Sequence, residues 1–432
     1  MFGISFEEAL TLCSLSKEQI DKKFLSLKNK IILFHFDKSQ ESLANYLYLL
    51  FETENVIILN PANRKRYSYD FHKSIPYDLI FGLNDFPIST GDVDSIREEL
   101  KNNQIRLVIP TSGSTALPKL VCFSSEKINF SAKNISESLS ISSTDVANGY
   151  LPTNYGYGLS VLHSHLYAKS RYLLQDDEMF ISTLSNSDCT NFYTVPSMLS
   201  AIEKYAEDIL LRSKAKKICQ AGGALSLHQA KFWNGVCVRN NIEFIRMYGQ
   251  TECGPRIACL RGANFDEVNN FVGKAIGEVK ISTSDTNEIM VDSSMLANFY
   301  IECVNDSWII NEIKSPFNTG DLGVLNSEGY LTILGRAARF IKLQDTRISL
   351  DEIEFHLNKI TTKDFAALDF NNKVAIIPSG KTHKNIDLIS ALSDHFEIPR
   401  RNFLVFDAKY FALNGNNKKD YPLMKKILRN ER

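Results

Sequence analysis

Short apolar runs alternate along this chain with stretches of helical spacing, and that alternation restricts the fold more than any other feature. Residues 31–36 (IILFHF) read as a buried strand, residues 41–52 as a helix and residues 55–59 (NVIIL) as a second strand. Strands separated by helices in this way build parallel βαβ units. The pattern continues with a strand over 105–109 and a helix over 124–139 that Ser124 or Ser125 caps. A strand over 191–195 precedes a helix opened by Pro196, and short strands follow at 217–220 and 244–247. Residues 1–30 also carry loosely helical spacings, through Phe6, Leu10, Leu12, Phe24 and Leu27.

The texture changes near residue 270. Short strands at 279–283, 288–292, 308–310, 323–325 and 330–334 are separated by turns, including an Asn326-Ser327-Glu328-Gly329 hairpin signal. This reads as a mostly antiparallel module. The last stretch reads as a small α+β unit: a helix at 350–359, a hairpin across Asn371-Asn372, a helix near 386–396 and a strand at 403–406. The expected fold class is therefore α/β. A large N-terminal domain over 1–336, made of βαβ subdomains and a small β-rich subdomain, precedes a small C-terminal α+β domain over 337–432. A length of 432 residues leaves room for this at the usual ~100–200 residues per domain.

Composition excludes several classes. Hydrophobic residues make up 44%, enough for a large core, and with 21 glycines and 12 prolines the chain is neither low-complexity nor collagen-like. A net charge of −1 supplies no basic field for nucleic acid. No apolar run approaches the ~20 residues of a membrane helix, and the acidic start (Glu7, Glu8) is unlike a signal peptide. The eight cysteines form no CxxC pair and read as reduced small hydrophobes. The expectation is a cytoplasmic protein with no membrane span.

Four stretches carry chemistry. In LVIPTSGSTALPK a strand runs into Thr111, Ser112, Gly113, Ser114 and Thr115, with Lys119 shortly after. Hydroxyls, freed backbone N–H groups and a lysine suit phosphate oxygens, although the Walker spacing is absent and an ordinary surface turn has the same composition. MYGQTE, at the end of a strand, places Tyr248, Gly249, Thr251 and Glu252 where ligands bind in open α/β sheets. Glu252 there suits Mg²⁺, or is simply solvated. NTGD sets Asp321 after a glycine, facing either sugar hydroxyls or its own turn amides. The NGNNKKDY tail presents Lys418 and Lys419. His163 and His165, two apart on a helix, do not share a face and read as packing residues rather than metal ligands.

The order of these stretches resembles the acyl-adenylate-forming superfamily of acyl-CoA synthetases, peptide-synthetase adenylation domains and beetle luciferases. TSGSTALPK is similar to its phosphate loop, YGQTE to its adenine and magnesium motif, NTGD to its ribose motif, GRAARFIKLQDTRISLDEIE to its hinge and NNKKDY to its lysine motif. The resemblance implies ATP and Mg²⁺ as cofactors. Thr111, Ser112, Gly113, Ser114, Thr115 and Lys119 would bind the β- and γ-phosphates, and Gly222, Gly223 and Ala224 would wall the adenine and acyl group. Tyr248, followed by Gly249, would stack on adenine. Thr251 would contact the α-phosphate, Glu252 would bind Mg²⁺, and Asp321 and Arg336 would hold the ribose. Lys418 would be the catalytic lysine, with Lys419 the alternative.

The implied reaction activates a small carboxylic acid to acyl-AMP, releases pyrophosphate and passes the acyl group to a thiol of CoA or an acyl carrier protein. The C-terminal domain would be mobile about the hinge. Ala116, Ala338 and Asp345 depart from the family pattern, and the region ahead of the phosphate loop is shorter than usual. Gly156 stands where amino-acid-activating members carry an aspartate, which favours an aliphatic or aryl acid over an α-amino acid. A rival reading is a non-catalytic nucleotide-binding member that serves as an interaction protein.

Overall fold

The computed structural model describes residues 1–60, 77–81, 94–111, 119–175, 188–225, 227–262, 271–304, 307–337, 339–343, 346–361, 363–380, 387–413 and 419–430. Two sheets dominate. Among the described residues the first has seven strands, with Ile31–Phe34 paired in parallel to Val56–Leu59 and Leu79–Phe81, and Val56–Leu59 to Ile105–Thr111. Its central strands are apolar on both faces, as helix-covered parallel strands are. Ile32, Phe34, Ile57, Leu59, Leu107 and Ile109 enter the main core, while Ile31, Leu33, Ile58 and Val108 point to a second core beneath helix Asp94–Asn102. The strand period of two sorts them.

Helix Gln40–Glu52 starts where Ser39 caps the N–H of Ser42 at 2.9 Å. Its C-terminal carbonyls are collected by Arg106, a buried residue of the neighbouring strand. The guanidinium donates to the carbonyls of Leu49 (3.0 Å), Leu50 (3.3 Å), Asn55 (3.1 Å) and Thr53. A cation at this end also complements the helix dipole.

The second sheet has eleven strands among the described residues. Its parallel half runs Arg171–Leu174, Val146–Gly149, Asn191–Thr194, Lys217–Gln220 and Glu243–Tyr248, and its antiparallel half begins at Ala258–Arg261. Helices Ser125–Ser138 and Gly156–Tyr167 fill the space between the two sheets. His163 and His165 lie in that core, with His163 against the Tyr46 hydroxyl (2.8 Å) and His165 between Ser170 (2.6 Å) and Tyr193 (2.9 Å). Burial pushes both imidazoles down to about 3, as packing residues require. Six of the eight free cysteines are buried. No helix among the described residues is long and apolar enough to cross a membrane.

Two local expectations change. Residues 1–30 hold one helix, Phe6–Leu12, and two 3₁₀ turns, because Ser14 adopts a left-handed backbone (φ 57°) and Asp21 caps anew. Residues 308–310 do not join the antiparallel module. Their strand, Ser307–Glu312, pairs with Phe299–Val304, which in turn pairs with Lys119–Ser124 at the edge of the first sheet. Strand pattern alone carries no information about which distant partner is chosen.

Beyond residue 340 separate cores form around a three-stranded sheet of Phe365–Phe370, Lys373–Pro378 and Phe403–Val405. The hairpin turns through Asn371 (φ 54°) and Asn372 (φ 56°), the mirror-image turn that matches strand twist. Phe365, Val374 and Ile376 face helices Leu350–Ile360 and Leu388–Phe396, and Leu368, Phe370 and Ile377 face helix Tyr421–Asn430.

Arg106→Met keeps the side chain's length but strands these helix-end carbonyls. It is expected to remove roughly 2–3 kcal/mol and to lower the melting temperature by about 5 °C or more, measured by differential scanning fluorimetry.

Candidate active site

The site lies beyond the carboxyl end of strand Glu243–Tyr248, where an open α/β sheet leaves backbone groups and side chains free for ligands. The chain leaves this strand in a tight loop and returns antiparallel, with the Ile257 N–H donating to the Tyr248 carbonyl at 2.7 Å. Gly249 is obligatory in this loop, since a Cβ there would stand 2.3 Å from the Pro255 carbonyl oxygen.

Asp321 organises the cluster. It lies in strand Phe317–Leu325 and faces Arg336 of strand Leu331–Arg336 across the ladder. Its carboxylate is 5% exposed. The Tyr248 hydroxyl and the Gln250 amide both donate to Oδ2 at 2.6 Å, and Arg336 Nε stands 3.0 Å from Oδ1. Gln250 also donates to the Thr319 carbonyl at 2.9 Å. Burial and the Asp321 charge push the Tyr248 hydroxyl well above its ordinary range, so it stays a donor. Arg336 is 63% exposed along its side chain and leaves one face of the pair open to solvent.

Glu252 follows in the same loop. Burial raises its carboxyl above the ordinary range, Lys119 and Arg336 oppose that rise, and Asp321 adds to it. Among the described residues no side chain donates a hydrogen bond to its carboxylate, so an oxygen ligand is available for a cation. Lys119 stands opposite Thr111 at the base of the serine- and glycine-rich loop. Its ammonium lies 3.4 Å from Glu302 and 4.5 Å above the Tyr300 ring. Residues 119, 248–252, 321 and 336, scattered through the sequence, thus share one electrostatic neighbourhood.

A second wall is built from strand ends further along the sheet. Gly222 has φ 80°, and a Cβ on it would lie 3.2 Å from Val195 and 3.7 Å from Tyr157. Gly223 and Ala224 follow as exposed backbone, with the Gly223 carbonyl accepting from Gln220 at 2.8 Å. Gly156 opens its helix beside Thr251, whose Oγ1 would be 3.1 Å from a Cβ there. Arg256, which no sequence pattern marks, stacks on Tyr157 at 4.1 Å. A single arginine between Pro255 and Ile257 carries no periodic or motif signal.

Lys419 is committed elsewhere. Its ammonium lies 2.7 Å from Glu354, 2.8 Å from Asp364 and 2.5 Å from the Phe365 carbonyl. Burial alone would lower its pKa, but Glu354 and Asp364 outweigh that and hold it above its ordinary value. Ser112, Gly113, Ser114, Thr115 and Lys418 lie outside the described residues, as do the departures Ala116, Ala338 and Asp345. Among the described residues no group of three His, Cys, Asp or Glu side chains converges as a metal site.

The profile of the AMP-binding enzyme family matches residues 48–293, more than half of the chain. Bacitracin synthase 3 of Bacillus licheniformis is 24% identical over 308 residues, covering 66% of this chain and 5% of that protein. The 2-succinylbenzoate–CoA ligase of Listeria innocua is 26% identical over 251 residues, covering 57% of this chain and 52% of that one. The chain thus spans about half the length of that ligase and a small share of the synthase. In fold, it is similar to O-succinylbenzoate coenzyme A synthetase (MenE) from Bacillus subtilis in complex with ATP and magnesium ion. The TM-score is 0.72 at 18% identity, covering 98% of this chain and 92% of that one.

The Glu252 shift has a consequence for stability. A carboxyl raised on folding weighs against the folded state once ionised, so its contribution worsens as pH climbs from the unfolded value through the folded one. Glu252→Gln is therefore expected to raise the melting temperature of the ligand-free protein at neutral pH by about 2 °C. The gain should close towards about pH 4, where the unfolded carboxyl is itself protonated. Melting curves across that range check it.

Proposed function

The chain belongs to the AMP-binding enzymes of the acyl-adenylate-forming superfamily, and from that premise we propose that it is an ATP-dependent acid–thiol ligase. The observation that carries the reading is the convergence of Tyr248, Gln250 and Arg336 on the buried carboxylate of Asp321, beside Glu252 and Lys119.

In this reading residues 1–336 bind ATP and the acid, and residues 337–432 form a lid. Asp321 accepts a hydrogen bond from a ribose hydroxyl with the one lone pair, on Oδ1, that Tyr248, Gln250 and Arg336 leave unused. Tyr248 borders the adenine, and the Gly222–Gly223–Ala224 backbone walls it from the other side. Thr111, Ser112, Gly113, Ser114, Thr115 and Lys119 cradle the β- and γ-phosphates, and Thr251 meets the α-phosphate. A carboxylate oxygen of the substrate attacks the α-phosphorus, forming the acyl–phosphate bond as the bond to pyrophosphate breaks. Negative charge grows on the phosphoryl oxygens, and Lys418 stabilises it as the lid brings the tail over the site. Lys419 does not serve, because Glu354 and Asp364 already hold it inside the small unit.

Magnesium fits this donor set. Among the described residues no side chain donates to the Glu252 carboxylate, and Mg²⁺ sites of this kind combine one or two carboxylates with phosphate oxygens and water. Bound there, the ion supplies charge neutralisation for the phosphates. In the second half-reaction the lid withdraws Lys418 and a thiol of CoA or a carrier-protein phosphopantetheine takes the acyl group, releasing AMP. The substrate is a small carboxylic acid without an α-ammonium group, since Gly156 provides no carboxylate to pair with one.

Acid-dependent pyrophosphate release tests the reading. Lys418→Ala is expected to slow it by about a hundredfold or more while thiolysis of supplied acyl-AMP persists. ATP binding without pyrophosphate release across a broad acid panel would overturn the ligase in favour of a non-catalytic nucleotide-binding protein.

A further inference from the structure

A buried cation with no anion among the described residues stands against the acyl side of this site. Arg256 is 2% exposed. Its Nη1 donates to the Pro255 carbonyl at 2.8 Å and its Nε to the Met247 sulfur at 3.2 Å, a weak acceptor. Its Nη2 is buried and has no hydrogen-bond partner among the described residues. Among the described residues no carboxylate pairs with it. The groups whose charges act on it are Tyr157, Tyr193, Cys219 and Cys259. Burial drives all four upward, Cys219 to about 12, so these phenols and thiols are neutral at physiological pH.

Charges withdrawn from water are paired in folded proteins, and a buried donor left unmade is costly. Arg106 of the same chain shows the ordinary solution, with four backbone carbonyls around its guanidinium. Arg256 has one. Its position gives the missing anion a source. The guanidinium carbon lies 4.1 Å over the Tyr157 ring. Tyr157 sits in the first turn of helix Gly156–Tyr167, beside the Gly222 backbone, and Gly156 adjoins Thr251. The Tyr157 hydroxyl donates to the carbonyls of Cys219 (3.0 Å) and Thr194 (3.3 Å), which locks the ring that supports the arginine.

We propose that Arg256 is a specificity-determining residue that binds a second anionic group on the substrate, so that the acid activated here is a dicarboxylic or otherwise doubly anionic acid. This rests on the ligase reading and narrows its substrate class. A guanidinium with a free N–H edge suits a carboxylate geometrically, and the aromatic face holds it in one orientation. A neutral acid of the same length would leave the charge unpaired, so discrimination comes from rejection as well as attraction.

The test compares matched pairs, glutarate with pentanoate and isophthalate with 3-methylbenzoate, in pyrophosphate release at saturating ATP. The diacid of at least one pair is expected to exceed its neutral partner in kcat/KM by about a hundredfold. Arg256→Gln should abolish that preference through KM for the acid while KM for ATP holds, and Arg256→Lys should restore part of it. A second readout needs no turnover: the preferred diacid alone should raise the melting temperature of the wild type and not of Arg256→Gln. Should Arg256→Gln fail to fold, the wild-type pairs decide by themselves. Release with neutral acids at equal or better efficiency overturns the inference and leaves the ligase standing. No release with any acid, while ATP still raises the melting temperature, overturns the ligase reading. A diacid-induced melting shift in that case would still support the anion site.

Discussion

Asp321 carries a carboxylate almost wholly withdrawn from water, and three donors from two distant parts of the chain converge on it: Tyr248 and Gln250 from one, Arg336 from the other. Tyr248 ends the parallel half of the long sheet, while Asp321 and Arg336 lie on neighbouring antiparallel strands. The carboxylate therefore ties together two regions that pair by different rules. An unpaired charge at that depth would be strongly unfavourable, so the three donors and the acceptor stand or fall together.

The same strand pair leads directly to the small C-terminal unit. The Arg336 N–H donates to Asp351 at 2.7 Å, and Gly335, at φ 139°, lets Asp351 approach where any Cβ would collide. Arg339 pairs with Asp351 and Glu354, and its guanidinium lies 3.7 Å over the Tyr421 ring. Glu354 also receives Lys419 and the Tyr421 hydroxyl, and despite burial these cations hold its carboxyl below the ordinary range. One charged network thus joins the segment after Arg336 to the residues that flank the lysine tail. The network fastens helix Leu350–Ile360 to Lys419 and Tyr421, because buried charges resist separation from their partners.

Two buried arginines of this protein, Arg106 and Arg256, contrast. Arg106 is surrounded by helix-end carbonyls and serves the fold. Among the described residues Arg256 has one carbonyl, a thioether and an aromatic face, and a nitrogen without a partner. Stability selects the first arrangement. The second is a locally unfavourable choice of the sort that functional sites retain.

Much of this was legible in the amino-acid order. The βαβ alternation, the Ser124 cap, the Pro196 helix start and the Asn371-Asn372 turn are local, since capping, ring geometry and left-handed φ act within a few residues. That Asp321, Arg336, Glu252 and Lys119 carry charges suited to a ligand could be read from short strings, and that they lie together could not. The strand that returns Phe299–Val304 to the first sheet, the withdrawal of Lys419 into a salt-bridge network and the isolation of Arg256 were not legible. Each depends on partners between 9 and 181 residues away. Sequence by itself determined which elements form and which chemistry they carry, because those follow from local backbone energetics and side-chain type. Only the tertiary structure decided which charges meet a partner, because pairing is set by distance and burial across the assembled sheets.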